Sequence, residues 1–194
     1  MSKKSEQLIA REEALKTLSN ELGKLFDSLD KSTLETLTDV YELPTQYRYT
    51  KAHQQVLEQA LKFHQTKEYA KALPLFLELA EHDSPQGAEF AGRYYSEGKG
   101  TRKSQKKAFE MFVLGKKAGS LYCDYQVAYR LFYGKGIKAQ RIRGMMELEE
   151  CAFLGIEEAI WDLIEIYSQG IYVEKDLDVV DFWSAKVEGE IGNA

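Results

Sequence analysis

The chain has 194 residues, of which 44% are hydrophobic and 29% are charged, and its formal net charge is −5. This composition is typical of a folded globular protein rather than a disordered chain, and the negative net charge argues against general nucleic-acid binding. No apolar run approaches the ~20 residues that a membrane-spanning helix needs, so no membrane partner is expected. Because only three prolines occur and Leu, Ala, Glu and Lys outnumber β-branched residues, the composition favours an all-α fold.

Residues 1–50 predict an N-terminal helical extension. Six leucines form an apolar seam along it with a heptad spacing: Leu8, Leu15, Leu22 and Leu29, with Leu18 and Leu25 between them. Such a seam predicts one helix of about 25 residues. Three roles stay open, because the helix could pack as a cap on the first of the repeats described below, pair with a second copy as a homodimer, or serve as a targeting segment. A shorter second helix is predicted from Ser32, where a capping box begins, to Pro44.

The cytoplasm is the expected location. The N-terminus has two early lysines but no continuous apolar stretch of signal-peptide length. Two cysteines are too few for a disulfide framework, and a reducing compartment would keep both thiols free.

Residues 51–194 predict an array of units with a 36-residue period. The clearest column at this spacing consists of the turn glycines Gly98, Gly134 and Gly170. The predicted units are 51–86, which is degenerate because it lacks the double glycine, 87–122, 123–158 and 159–194. A period of this length predicts stacked helix-turn-helix units, since no single unit can bury its apolar face alone.

Each unit is predicted to contain two helices separated by a glycine turn. In residues 87–122, Gly98 and Gly100 provide the positive φ angles that end the first helix and reverse the chain. Ser104 is the predicted N-cap of the second helix, and Asp176 has the same role in the last unit. The lysines inside two of the turns are expected to point into solvent: Lys99 and Lys135.

The segment SEGKGT at 96–101 is similar to the end of a phosphate-binding loop, which has the pattern G-x-x-x-x-G-K-[ST]. The chain departs from that pattern in two ways. Five residues instead of four separate Gly92 from Gly98, and Gly100 stands where a Ser or Thr hydroxyl would reach magnesium. A helix-to-helix turn is therefore the favoured interpretation.

These features resemble the Sel-one-like repeat (SLR) family, a relative of the tetratricopeptide repeats. The second unit matches best, through FAGRYYSEGKG, KKAFEMF and KKAGS. The third unit has Arg143-Gly144 in place of the family's Lys-Ala pair, and the fourth has Tyr172 in place of the second glycine. The resemblance implies a right-handed α–α superhelix that acts as a protein-binding scaffold or adaptor, and it implies no shared catalytic residues.

The sequence shows no pattern for catalysis, a cofactor or a metal. His53 and His64 are 11 residues apart, which is about three helical turns and too far for one metal ion. Cys123 and Cys151 align with small or apolar positions of the repeat, which predicts buried structural thiols. Because neither a nucleophile motif nor an isolated acid–base pair occurs, the protein is predicted not to be an enzyme.

A partner-binding face is predicted on the first helices of the units, which should line the concave side of the array. The repeat does not dictate the residues in these columns, and several of them are aromatic or charged. The predicted partner-binding residues are Glu89, Arg93, Tyr122, Tyr125, Tyr129, Tyr133, Trp161 and Glu165. Rigid aromatic side chains flanked by charges are typical of interface centres. The alternative is that these tyrosines pack between helices.

Charge is unevenly distributed along the array. Residues 87–122 carry eight Lys or Arg and three Glu, whereas residues 159–194 carry two Lys and eight acidic residues. Such a distribution could steer an oppositely charged partner toward the array.

The predicted function is a non-enzymatic module that binds a protein or peptide partner. The alternatives are a dedicated inhibitor or immunity protein that neutralises one cognate toxin or enzyme, and a homo-oligomeric scaffold.

Overall fold

The computed structural model describes residues 1–28 and 51–191, and the predicted helix from Ser32 lies outside this range. Every regular element of the described residues is an α-helix, which confirms the all-α fold class. The helices are α1 (Lys3–Ser28), α2 (Lys51–Gln65), α3 (Tyr69–Glu81), α4 (Pro85–Glu97), α5 (Gln105–Lys117), α6 (Leu121–Tyr133), α7 (Arg141–Phe153), α8 (Glu157–Gln169) and α9 (Leu177–Ile191). None of them combines the length and apolar character that crossing a bilayer demands.

The described helices fall into two compact units. The central unit contains α2 to α7, and the terminal unit contains α1 together with α8 and α9. In the central unit α2 pairs with α3, α4 with α5, and α6 with α7, while each second helix also packs on the first helix of the next pair. The central unit is therefore a stack of helix hairpins that share one interior.

The glycine turns of the central unit end the first helices and bring successive repeats into contact. Gly98 and Gly134 have φ angles of 81° and 75° at the C-termini of α4 and α6. At Gly136 a Cβ atom would collide with the backbone of Gln105, the first residue of α5, and Gly100 lies in the same way on Tyr69, the first residue of α3. Each of these turns therefore rests on the start of the preceding second helix, as close backbone packing requires.

Two predicted helix caps are present. The Ser104 hydroxyl accepts a hydrogen bond of 3.3 Å from the Lys107 N–H at the start of α5. The Asp176 carboxylate accepts one of 3.2 Å from the Val179 N–H at the start of α9. Each cap gives a hydrogen-bond acceptor to a backbone N–H that has no partner within its own helix. Replacing either capping residue by Ala is expected to lower the free energy of unfolding by about 1 kcal/mol.

The interior explains one departure from the SLR pattern that the sequence resembles. A Cβ atom at Gly144 in α7 would collide with the backbone of Phe132 in α6, whereas the equivalent residue of the preceding repeat is Ala108. The glycine lets α6 and α7 approach more closely than an alanine would allow. Similarly, Gly92 in α4 leaves room for the ring of Phe112 in α5, which is 1% exposed.

Helix α1 packs on α9 in the terminal unit. Leu8 is 2% exposed, the side chains of Lys186 and Glu12 form an ion pair of 2.8 Å, and the N-terminal amino group lies 3.7 Å from the Asp178 carboxylate. Within the terminal unit α1 therefore packs on α9. The prediction that the leucine seam caps the first repeat stays a prediction, because that repeat belongs to the other unit. Farther along α1 the seam leucines are largely exposed: Leu15 at 44%, Leu18 at 52% and Leu22 at 44%.

Candidate partner-binding surface

Most of the predicted partner-binding residues lie on α4 and α6, the first helices of two successive repeats of the central unit. These two helices are neighbours in the stack. Glu89 and Arg93 lie on α4, one helical turn apart, and the four tyrosines Tyr122, Tyr125, Tyr129 and Tyr133 lie on α6. The 36-residue period therefore places side chains that are distant in sequence on adjacent helices.

One group of contacts on this surface connects α4 to α6. The Arg93 guanidinium donates a hydrogen bond of 3.2 Å to the Glu89 carboxylate and lies 5.3 Å from the centre of the Tyr122 ring. Burial raises the pKa of Glu89, although Arg93 acts in the opposite direction, and burial also raises the pKa of Tyr122. These contacts hold the Tyr122 ring in one orientation, with a cation on its face.

A second group lies at the C-terminal end of α6. The rings of Tyr129 and Tyr133 are 4.7 Å apart, and the Lys135 ammonium lies 4.3 Å from the centre of the Tyr129 ring. The same ammonium donates a hydrogen bond to the Tyr129 hydroxyl and lies 5.6 Å from the Tyr133 ring. Lys135 is exposed, as expected, but its ammonium is also held near two tyrosine rings, because both rings attract its charge.

Tyr125 differs from the other three tyrosines. Its side chain is 8% exposed, and its ring lies 6.0 Å from that of Tyr129, one turn farther along α6. It was predicted to be a partner-binding residue, but the structure places it in the interior, where it offers almost no area to a partner. The alternative of packing between helices therefore applies to Tyr125, while Tyr122, Tyr129 and Tyr133 are only half-buried.

The remaining predicted residues, Trp161 and Glu165, belong to the terminal unit. Trp161 is 55% exposed on α8, and Glu165 is also exposed and accepts a hydrogen bond of 3.3 Å from the Gln169 amide. The candidate surface of the central unit is therefore limited to five residues, which we call the tyrosine face: Glu89, Arg93, Tyr122, Tyr129 and Tyr133.

An aromatic cluster surrounds His64, and sequence analysis did not predict it. The His64 Nδ1 atom lies 2.7 Å from the Tyr94 hydroxyl, and its ring lies 5.0 Å from Phe90 and 5.8 Å from Tyr69. Burial, followed by the charges of Lys99 and Arg93, lowers the pKa of His64. Burial raises the pKa of Tyr94 to about 12, so its hydroxyl stays protonated and neutral. The cluster joins three helices and has the character of a core contact.

Reactive groups are scarce in the described part of the chain. Cys123 and Cys151 are buried, and burial raises the pKa of each thiol to about 12, which fits the predicted structural role. Such thiols carry almost no thiolate at neutral pH and are poor nucleophiles. Within residues 1–28 and 51–191, no three His, Cys, Asp or Glu side chains come together as they would around a metal ion.

Comparison with known proteins identifies the fold. No protein-family model matches the chain. The chain is 29% identical to chitin synthase regulatory factor 3 of Schizosaccharomyces pombe over 92 residues, which are 47% of this chain and 10% of that protein. The similarity therefore concerns a small part of a much longer curated relative.

Two solved structures share the architecture. A Sel1 repeat protein from Oxalobacter formigenes aligns with a TM-score of 0.58 and 15% identity over 69% of this chain and 53% of its own. A protective antigen of uropathogenic Escherichia coli strains, which displays an SLR fold, aligns with a TM-score of 0.62 and 20% identity over 71% of this chain and 30% of its own. These similarities confirm the SLR resemblance at the level of the fold, and the chain spans about half or less of each protein's length.

Proposed function

We propose that the protein is a non-enzymatic interaction module that binds a protein or peptide partner on the tyrosine face. The observation that carries this proposal is the arrangement of Tyr122, Tyr129 and Tyr133, which are half-buried on one helix and contacted by the cations Arg93 and Lys135. The SLR fold supports it, because the family resemblance implies a protein-binding scaffold.

The physical reason lies in the low entropy cost of binding to side chains that are already ordered. Tyrosine offers a large apolar ring with a polar hydroxyl and has only two side-chain torsions to fix. Contacts with Arg93 and Lys135 restrict these torsions before a partner arrives, so less conformational entropy is lost when it binds. Arg93 and Glu89 stand beside the rings as charged groups that can orient the partner.

The first prediction concerns Tyr129→Ala/Tyr133→Ala. We expect this double variant to weaken partner binding at least about tenfold, because central aromatic side chains dominate interface energies. The thermal unfolding midpoint is expected to change little, because both rings are partly exposed. The partner would be captured from native cell extract with the unaltered protein, identified by mass spectrometry, and titrated against the purified variants by calorimetry.

Tyr172→Ala is the matched control, because Tyr172 is 61% exposed in the terminal unit and lies outside the tyrosine face. It should leave partner affinity within about twofold of the unaltered protein. An equal loss of partner affinity in Tyr172→Ala and in Tyr129→Ala/Tyr133→Ala would contradict the proposal. Unfolding of the Tyr129→Ala/Tyr133→Ala variant at room temperature would also contradict it.

We also propose that α1 self-associates through its exposed seam. Leu15, Leu18 and Leu22 have the alternating three- and four-residue spacing of a coiled-coil interface, and a second copy presents the same seam.

Light scattering over a range of protein concentrations should show a dimer that Leu15→Lys/Leu22→Lys converts to a monomer. Thr17→Lys/Asn20→Lys adds the same charge at exposed positions away from the seam and should keep the dimer. A monomer at every concentration for the unaltered protein would refute self-association.

A further inference from the structure

One edge of the central unit, which we call the basic edge, is formed by the turns between paired helices and by the starts of the second helices. It comprises residues 66–71, 97–107 and 134–143. The packing of Gly100 on Tyr69 and of Gly136 on Gln105 shows that successive segments touch. The edge is therefore one continuous surface that crosses three repeats.

This edge is strongly cationic although the whole chain is acidic. Its three segments contain eleven Lys or Arg and two Glu, in a chain with a formal net charge of −5. The cations are Lys67, Lys71, Lys99, Arg102, Lys103, Lys106, Lys107, Lys135, Lys138, Arg141 and Arg143. Like charges brought together by folding repel one another, so an anion on this surface would relieve an existing electrostatic cost.

Most of these cations have no acidic partner among the residues that the structure describes. Lys71, Lys99 and Arg143 form ion pairs with Glu68, Glu97 and Glu147. In contrast, none of the ion pairs between described residues involves the following side chains: Arg102, Lys103, Lys106, Lys107, Lys135 or Lys138. The edge thus keeps a cluster of cations that form no ion pair with a carboxylate in residues 1–28 or 51–191.

The cations are also arranged in register with the repeat. Lys99 and Lys135 occupy equivalent positions, as do Arg102 and Lys138, and a third column consists of Lys71, Lys107 and Arg143. Two of the columns place ammonium groups against aromatic rings, with Lys107 5.2 Å from the Tyr95 ring and Lys135 4.3 Å from the Tyr129 ring. We propose that this edge binds an acidic segment of a partner protein, whose carboxylates follow the row of cations from repeat to repeat.

An apolar groove beside the edge favours a polypeptide over other polyanions. A groove of about 570 Å³ on α7 is lined by Ile142 and Met146, which are 82% and 56% exposed. Charged side chains of both signs complete its lining: Arg141, Arg143, Glu147 and Glu150. Since Arg143 already donates a hydrogen bond to Glu147, the groove adds apolar contact area rather than further positive charge. In the preceding repeat the positions of Ile142 and Met146 hold the charged residues Lys106 and Glu110. An acidic polypeptide can supply both carboxylates and apolar side chains. A nucleic acid supplies carboxylates no more than it supplies aliphatic side chains, so it matches only the cations of the edge.

The test uses a short fluorescent oligoglutamate peptide and the full chain, with binding followed by fluorescence anisotropy. Lys103→Glu/Lys138→Glu reverses two exposed cations of the edge that pair with no described carboxylate, and we expect it to weaken binding about tenfold. The matched control is Lys117→Glu/Lys175→Glu, which changes the net charge equally at exposed positions outside the edge and should keep affinity within about twofold. Raising the salt concentration from low to ~0.15 M should weaken binding to the unaltered protein.

Three results would overturn the proposal. The first is the absence of saturable oligoglutamate binding at low salt, and the second is equal weakening by the edge variant and its control. The third is tighter binding to an oligothymidylate or to phosphatidylserine vesicles, at equal anion concentration, than to oligoglutamate. The Tyr129→Ala/Tyr133→Ala variant should retain oligoglutamate binding, so a failure of the tyrosine face and a failure of the basic edge can be told apart.

Discussion

Replacing Phe112 with alanine is expected to lower the free energy of unfolding by about 3–5 kcal/mol, the cost typical of a buried aromatic side chain. Phe112 is 1% exposed, and its ring fills the space that Gly92 leaves on α4. The ring also lies 6.1 Å from that of Tyr122 and 4.8 Å from the Arg130 guanidinium. Because the space is bounded by helices on several sides, truncation would leave a cavity that backbone movement can close only in part.

Urea denaturation followed by circular dichroism measures this loss. The matched control is Leu114→Ala on the same helix, where the side chain is 36% exposed and the expected loss is below about 1.5 kcal/mol. Phe112→Ala should also weaken partner binding at a temperature where it stays folded, since Tyr122 would lose the ring beneath it. Equal costs for the two substitutions would show that Phe112 does not anchor the interior of the central unit.

The features of the fold that depend only on residues close together in the sequence could be predicted from the sequence. The Ser104 and Asp176 caps and the turns at Gly98 and Gly134 use donors, acceptors and φ angles within a few residues of each other. A helix terminus imposes the same local requirement wherever it occurs. The glycine turns recur every 36 residues, so the same helix-turn-helix prediction applies to each successive repeat.

Burial depends on distant residues, and there the sequence was insufficient. Tyr125 and Tyr129 lie one turn apart on α6, so helical periodicity places them on one face, yet only Tyr125 is covered. Similarly, the spacing of the leucines in α1 showed that one face is apolar but could not identify α9 as the helix that covers Leu8. An amphipathic pattern states that a face is buried without stating what buries it.

The basic edge was only partly visible in the sequence. The sequence shows an excess of Lys and Arg in residues 87–122 and predicts from it only that an oppositely charged partner could be steered. The significance of this excess depends on the turns of three repeats meeting at one side of the stack, which the positions of Gly100 and Gly136 establish. Charge that is spread along the chain thereby becomes a single surface.

Arg130 provides the second large effect, because it is a buried cation without an acidic partner among the described residues. It is 3% exposed on α6 and donates hydrogen bonds of 2.7 Å to the Gln105 side-chain carbonyl and 3.0 Å to the Ser96 hydroxyl. Its Nε atom has no hydrogen-bond partner in the described structure, and burial lowers the pKa of the guanidinium. The equivalent residues in the neighbouring repeats are Tyr94 and Ile166, so the stack itself does not require a charge here.

We expect Arg130→Ala to cost about 3 kcal/mol, because it creates a cavity and leaves the Gln105 and Ser96 acceptors without a donor. Arg130→Met keeps the apolar stem and removes the desolvated charge, so its loss should be only about 1 kcal/mol. Urea denaturation of both variants beside the unaltered protein gives the comparison. If Arg130→Met costs as much as Arg130→Ala, the guanidinium itself is required. In that case the hydrogen bonds to Gln105 and Ser96, rather than packing of the stem, would hold α6 against the turn between α4 and α5, which forms the middle segment of the basic edge.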